Sequence, residues 1–347
     1  MLGKKMASNL RSDDPLPKKM LAAWYEKQGQ AEDVLKVGEI PIPTPGPEEV
    51  LVRLHYSSIN PSDTKRRNGF RGQPHAFPRI IPNSDGAGEI CAVGNAVPTL
   101  RMGQSVWIFN AQWKRPFGTS AQYICIPSSL AIPISANLDK RVAACLGIPC
   151  LTAHRALFAD GDIRGQTVLV TGGAGAVGNC AIQMAKWAGA KVIATVSSDE
   201  KAEHARGAGA DVVLNYKTQD APKEIMSVTN NEGVHRIVEV AFGENLPQTL
   251  SVLAKHGVIS AYASDRKPEP SLPFYEFMLK NQVLRWVFMY ELQDKDLANA
   301  LGDINDWLSE KIPYAFIDSV WPIGQVIQAH QRLESGEALG NVLIDTN

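Results

Sequence analysis

The sequence predicts an α/β protein, in which a doubly wound parallel-sheet dinucleotide-binding domain follows a domain of many short strands. Three observations carry that prediction. A glycine-rich strand–turn–helix–strand unit occupies residues 167–196, strand and helix patterns alternate after it to about residue 289, and short apolar runs separated by proline and glycine fill residues 21–133.

The unit at 167–196 opens with Val168-Leu169-Val170, the continuous apolar run of a strand buried on both faces. Gly173-x-Gly175-x-x-Gly178 follows, and Val177, Ala181, Met184, Ala185 and Ala188 then share one helical face. A second apolar run at 192–196 closes a βαβ unit of about thirty residues. In such a unit the first glycine permits a tight turn and the second lets the backbone approach a pyrophosphate. The third lets helix and strand pack closely, with the helix N-terminus facing the anion. A lone GxGxxG also arises in ordinary glycine turns, but here every element stands in the required order. Gly173, Gly175, Ala176, Val177 and Gly178 are therefore the candidate pyrophosphate contacts.

Taken from the start, residues 1–20 (MLGKKMASNLRSDDPLPKKM) lack the apolar core of a secretory signal and read as a polar, mobile extension. Apolar runs at 34–37, 50–54, 88–93, 105–109 and 121–126 predict strands. Residues 40–47 carry four prolines, which excludes a central strand there. Strands so short and so spaced suggest a compact barrel-like domain. The pattern turns helical from about residue 139, and a helix over 152–159 leads into the nucleotide domain. After the βαβ unit, helices are expected at 199–206, 221–228, 246–253 and 274–279, with strands at 211–215, 236–240, 257–261 and 283–288. With the strands at 167 and 192 that makes about six, the number in a full doubly wound fold. Beyond residue 290 the alternation breaks: Leu297, Leu301, Ile304, Trp307 and Leu308 mark one amphipathic helix, 323–333 a second, and 341–345 a closing strand.

Composition narrows the function classes. A length of 347 residues gives a soft prior of two domains, and 44% hydrophobic residues suffice for substantial cores. A net charge of -1 supplies no bulk field for nucleic acid or an anionic membrane, and no apolar run is long enough to span a bilayer. No basic and aromatic cluster of the RNA-binding kind is visible along the chain. The five cysteines are scattered and without a CxxC pair, which argues for a reducing compartment, the cytoplasm being the simplest.

A dinucleotide fold after a β-rich half, with a short return segment, resembles the medium-chain dehydrogenase/reductase superfamily from residue 21 onward. The motifs Asn60-Pro61-Ser62-Asp63-Thr64, Ile81-Pro82-Asn83-Ser84-Asp85-Gly86-Ala87-Gly88 and Leu151-Thr152-Ala153, with the glycine-rich stretch, most resemble its zinc-independent quinone oxidoreductase branch, the zeta-crystallin-like enzymes. The resemblance implies a GroES-like catalytic domain over 21–145 and 290–347, a Rossmann domain over 146–289, and an active cleft between them. It also implies a homodimer in which the strand at 257–261, or its neighbour, pairs across subunits. Zinc members supply a cysteine and a histidine where this chain has Asn60 and Ser84, neither a good zinc ligand. The seven histidines show no paired ligand spacing, and Cys150 alone reads as a small buried hydrophobe, so no metal is expected.

Without a metal, hydride transfer depends on alignment and on a donor to the developing oxyanion. The resemblance puts this polar corner at Asn60 and Asp63, against the alternative that both only make turn hydrogen bonds. Where the branch commonly has tyrosine, this chain has Lys65, which either donates to the oxyanion, holds an acidic substrate group, or points into solvent. Thr152 is either a nicotinamide contact or a helix N-cap. Asn341 falls in the segment that resembles the family's C-terminal cofactor contact, where a basic residue is usual. The aromatics of 286–290 either shape an apolar pocket or pack in the core.

The end of the second strand decides between cofactors. NAD-specific folds place a carboxylate about twenty residues after the glycines, for the ribose 2′-hydroxyl. Here Val196-Ser197 occupies that position, and Asp199 and Glu200 suit the first turn of the next helix. The loop offers Ser197, Ser198 and Lys201 instead, and Lys201 with Tyr216 after the third strand resembles the pair that grips the 2′-phosphate of NADPH, the alternative for Lys201 being a solvated helix residue. The expected activity is zinc-independent, NADPH-dependent hydride transfer to a quinone. Reduction of an enone or alkenal double bond is the alternative within the same site, and a non-catalytic NADPH-binding protein, structural or RNA-associated, is the alternative from another class.

Overall fold

The computed structural model describes residues 16–72, 74–135, 137–311, 313–314 and 317–347, so most of the expected N-terminal extension lies outside the described residues. The part of it that is described already enters a strand at Lys19. The chain divides into two compact units, the first running to Gly147 and resuming with Ile317–Asn347, the second being Ile148–Phe316.

In the first unit, β1 (Lys19–Trp24) and β2 (Lys36–Pro41) form an antiparallel pair. The long strand β3 (Glu49–Ile59) is the spine of a larger sheet with β4 (Asp85–Val93), β5 (Ser105–Ile108), β6 (Tyr123–Pro127) and β7 (Ala131–Pro133). Both faces of β3 are buried: Val50, Val52 and Leu54 meet Ile90, Val106 and Ile124, and Leu51 meets Met20, Tyr123 and Cys125. The run at 34–37 was expected to be one strand. Instead a helical turn, Ala31–Val34, ends there and β2 begins at Lys36, because Val34 and Leu35 turn into a core with Tyr25, Val326 and Ile344.

The second unit holds the parallel strands β8 (Thr167–Thr171), β9 (Lys191–Val196), β10 (Val212–Asn215), β11 (Val234–Glu239), β12 (Leu253–Ala261) and β13 (Val283–Trp286). Their order is β10-β9-β8-β11-β12-β13, the doubly wound arrangement in which β8 and β11 part at the switch point. Leu169, Ile193, Ile237 and Ile259 of the sheet pack on Ile225, Leu246 and Leu250 of the covering helices.

The helix Asp294–Glu310 belongs to this unit, so the return to the first begins at Ile317 and not at residue 290. Ala300, Ile304 and Trp307 are buried, and Asp303 and Asp296 meet His154 and Arg155 of the helix Gly147–Phe158 at 2.7 and 2.9 Å. The return supplies β14 (Ile317–Pro322) and β15 (Asn341–Asp345), and β15 pairs antiparallel with β3. Among the described residues no helix is long and apolar enough to cross a membrane.

Candidate active site

The glycine turn divides its work differently from the expectation. The left-handed residue is Gly172, at φ +67°, one position before the motif, and the Gly175 N–H donates to its carbonyl at 3.0 Å. Gly173 is a packing glycine: a Cβ there would stand 2.9 Å from that of Ala194. Gly178 is stricter still, since its Cβ would lie 2.3 Å from the Gly172 carbonyl oxygen. Gly175 caps the helix Ala176–Trp187, and its Cβ would meet nothing nearer than 3.4 Å. Asn179 is the first to close back, onto the Gly175 carbonyl at 2.8 Å, so the N–H groups of Ala176, Val177 and Gly178 are the helix's unmatched donors. This cradle fits a pyrophosphate, because it offers directed donors, a helix dipole and room for close approach.

A cavity of about 830 Å³ opens beside the turn, lined by Leu169, Gly172, Thr195, Tyr216, Ala241 and Asn245 among others. No carboxylate stands at the end of β9. The Ser198 hydroxyl caps the helix Asp199–Gly207 by accepting the Lys201 N–H at 3.3 Å, so Asp199 and Glu200 are first-turn residues. Register places Asn215 opposite Val196, and the Tyr216 N–H donates to the Val196 carbonyl at 3.1 Å. Ser197, Lys201 and Tyr216 therefore share one end of the sheet, with the Tyr216 side chain exposed on the cavity wall.

One residue at this end escaped the sequence reading. Glu239 closes β11 and is fully buried. Its Oε1 accepts from the Thr171 hydroxyl at 2.9 Å, the Asn245 amide at 2.9 Å and the Ala241 N–H at 2.6 Å. The Thr171 hydroxyl in turn accepts the Val240 N–H at 3.0 Å. These bonds tie the end of β8 to residues 240–241 where the two strands part, the place at which doubly wound sheets bind ligands. Burial raises the Glu239 pKa against the pull of those same hydrogen bonds. The available signal was a lone carboxylate in the otherwise apolar run Ile237-Val238-Glu239-Val240.

In the first unit Asn60 caps the helix Pro61–Arg67, and its backbone N–H donates to Asp63 Oδ2 at 2.8 Å. The Asn60 amide donates to Asp85 Oδ2 at 2.8 Å, and the Ser84 hydroxyl to Asp63 Oδ1 at 3.0 Å. All four residues are buried, and burial raises the Asp63 pKa while Arg66 and the bonds from Asn60 and Ser84 oppose it. The two motifs are thus joined side chain to side chain. Lys65, on the same helix, is half-buried, with its ammonium 5.4 Å from the centroid of Phe70.

Thr152 lies inside the helix Gly147–Phe158 and is buried there, which rules out the N-cap alternative. Asn341 opens β15 and is buried. Cys150 is buried with its Sγ 3.0 Å from that of Cys180. Trp286 and Phe288 are exposed and not core residues. Among the described residues no three His, Cys, Asp or Glu side chains gather as metal ligands.

Residues 46–136 match the alcohol dehydrogenase GroES-like domain family, and 176–306 the zinc-binding dehydrogenase family. The quinone oxidoreductase of Mus musculus is 30% identical, over 88% of this chain and 91% of its own length. The chain belongs to the medium-chain dehydrogenase/reductase superfamily, in its quinone oxidoreductase-like branch. Its two units are accordingly a GroES-like domain and a Rossmann domain, and it is an oxidoreductase. An Arabidopsis thaliana relative, the chloroplastic NADPH-dependent alkenal/one oxidoreductase, is 34% identical over 62% of this chain and 57% of its own. A mycobacterial protein solved in complex with NADPH superposes with a TM-score of 0.82 at 25% identity, covering 94% of this chain and 99% of its own.

Proposed function

We propose that this oxidoreductase uses NADPH to reduce a quinone by direct hydride transfer, without zinc. The observation that carries the reading is the end of β9, where Val196-Ser197 holds no carboxylate at the position of the NAD-specific one and Ser197, Lys201 and Tyr216 stand nearby. A 2′-phosphate brings about -1.5 to -2 charges, which suit a lysine point charge and hydroxyl donors. A carboxylate there would repel it. The names of the Arabidopsis relative and of the NADPH complex point to the same cofactor.

The bound cofactor supplies the hydride; with one proton from solvent, NADPH and quinone give NADP⁺ and hydroquinone. The chain's part is to hold and orient. The N–H groups of Ala176, Val177 and Gly178 take the pyrophosphate, and the Glu239 network keeps the 240–241 wall of the cavity in place. Thr152 and Asn341 are proposed as further cofactor contacts. Asn60 and Asp63 set the helix that carries Lys65, whose ammonium is the proposed donor to the developing oxyanion. The zinc-free reading rests on Asn60 and Ser84, whose polar groups are engaged with Asp85 and Asp63. The cytoplasm is the proposed location.

The likeness to an alkenal/one oxidoreductase favours one second reading, reduction of an activated carbon–carbon double bond. NADPH oxidation by the purified protein with a panel of 1,2- and 1,4-quinones, enones and alkenals separates the two. Turnover of enones alone selects the second, and NADPH binding without any turnover leaves a non-catalytic binding protein. Activity is expected to survive chelators. Its complete loss, reversed by added zinc, would overturn the metal-free reading.

A further inference from the structure

Two thiols of the Rossmann domain meet at the helix that carries the cofactor cradle. Cys150 lies in the helix Gly147–Phe158 and Cys180 in the helix Ala176–Trp187, yet their Sγ atoms stand 3.0 Å apart. Carbon atoms, which are smaller, sit best at about 3.5–4.0 Å, so the sulfurs are in close contact, one thiol donating to the other. Both residues are buried, and Cys180 keeps 8% of its surface exposed. A disulfide bond is about 2.05 Å long, so an approach of roughly 1 Å would join the two. The other three cysteines are placed differently. Burial pushes the Cys91 thiol up to about 11 and that of Cys125 to about 12, which keeps both protonated at neutral pH. The Cys145 thiol donates to the Arg141 carbonyl at 3.2 Å.

The chain positions of the pair tie it to the cofactor site. Cys150 stands two residues before Thr152, a proposed cofactor contact, and Cys180 two residues after Gly178. The turn between Gly172 and Gly178 has no slack, since a Cβ at Gly178 would lie 2.3 Å from the Gly172 carbonyl oxygen. Asn179, the neighbour of Cys180, donates its N–H back to the Gly175 carbonyl at 2.8 Å. Drawing Cys180 toward Cys150 therefore shifts the start of this helix, because close-packed groups move together. The N–H groups of Ala176, Val177 and Gly178 move with it, and hydrogen bonds weaken steeply with lost alignment.

We propose that Cys150 and Cys180 are a redox-modification site: hydrogen peroxide joins them in a disulfide, and the bond weakens the hold on the dinucleotide. The Cys180 sulfur, the one with exposed surface, gives up its proton and attacks a peroxide oxygen. The O–O bond breaks, and the hydroxide released takes that proton to become water. The Cys150 sulfur then attacks the sulfenic sulfur of Cys180. The S–S bond forms, the S–O bond breaks, and the leaving hydroxide takes the Cys150 proton as a second water. The two thiols lose two electrons and the peroxide gains them. In a reducing compartment the thiols rest reduced, and disulfides there are transient and redox-sensing. The effect on the cofactor rests on the NADPH reading above, whereas the bond itself does not. On the quinone reading, the hydroquinone product reacts with dioxygen to give quinone and hydrogen peroxide, so the switch halts a futile consumption of NADPH.

The test carries the full chain, Cys150→Ala and Cys180→Ala through the same treatment with hydrogen peroxide. Remaining thiols are blocked with N-ethylmaleimide, and the peptides are mapped by mass spectrometry. A peptide joined through Cys150 and Cys180 is expected in the wild type and is expected to vanish with dithiothreitol. NADPH affinity, followed by fluorescence, is expected to fall about tenfold on oxidation and to return on reduction. In either variant peroxide should leave it unchanged. Coupling is reciprocal, so saturating NADPH should shift the thiol–disulfide equilibrium against glutathione toward the thiols by the same factor. That readout uses the wild type alone and stands even if a variant does not fold. Thiols that stay free at peroxide levels that oxidise glutathione overturn the proposal. So does a joined pair with unchanged NADPH affinity, or a loss of affinity that persists in both variants. Reduced wild type that binds no NADPH is a different result: it removes the cofactor reading and the switch with it, while the peptide map still decides the bond.

Discussion

Lys201 was legible as a candidate from its place after a strand that ends without a carboxylate. Its half-buried position on the third residue of the helix Asp199–Gly207 leaves the 2′-phosphate role as a proposal with a sharp test. Lys201→Ala should lose a charged hydrogen bond of roughly 1.5–3 kcal/mol, or about ten- to hundredfold in NADPH affinity, with NADH affinity nearly unchanged. Titration of both cofactors by fluorescence checks this, and equal losses on the two would sink it. His330 could not have been singled out in the sequence. It is fully buried, both ring nitrogens lack a hydrogen bond, and burial, helped by nearby Arg67, pushes its pKa down to about 3. The unfolded chain therefore takes up this proton first, near pH 6.5, while the folded chain resists to about 3. The native state is penalised progressively as pH falls through that window, by up to about 1.4 kcal/mol per pH unit. Urea unfolding at pH 7 and pH 5 should show a larger acid loss for the wild type than for His330→Leu, and parallel losses would refute it.

At the scale of elements, the helices at 221–228 and 274–279 form with the bounds the sequence predicts, and in the first Ala221 and Ile225 are buried as its period requires, a pattern written in consecutive residues. The glycine motif was legible as a motif but not in its division of labour. Which glycine turns and which packs depends on Ala194 and the Gly172 carbonyl, neither inferable from spacing. Gly178→Ala should be severely destabilising, because its Cβ meets backbone that cannot move without disturbing the turn. Gly175→Ala should fold with nearly the wild-type midpoint yet bind NADPH more weakly, since the added methyl makes only an ordinary contact, 3.4 Å from the Gly172 carbonyl oxygen, but takes up room beside the cradle. Thermal melts paired with NADPH titrations distinguish the two, and a Gly178→Ala protein as stable as wild type would contradict the packing argument.

For the whole molecule, the expected pairing of subunits through 257–261 or its neighbour narrows to the neighbour. β12 is bonded on both sides, by β11 and β13, so among the described residues β13 ends the sheet on this side. Beside it Trp286 is 62% exposed, Tyr275 70% and Leu279 74%, an apolar surface of the kind that soluble monomers seldom leave uncovered. We propose that a second copy covers it. Light scattering should report a dimer, and Trp286→Glu should shift it toward monomer; a wild-type monomer would remove the proposal. The sequence by itself determined the two-domain order, the six-strand alternation and the cofactor motif, because periodicity and turn chemistry act between near neighbours along the chain. Only the tertiary structure decided that Asp294–Glu310 joins the Rossmann domain and that Glu239 clamps Thr171. It alone brought Arg66 against Trp113 and Gln112. Those contacts join segments far apart in the chain, and no local pattern encodes which distant surface a buried carboxylate or an aromatic ring will meet.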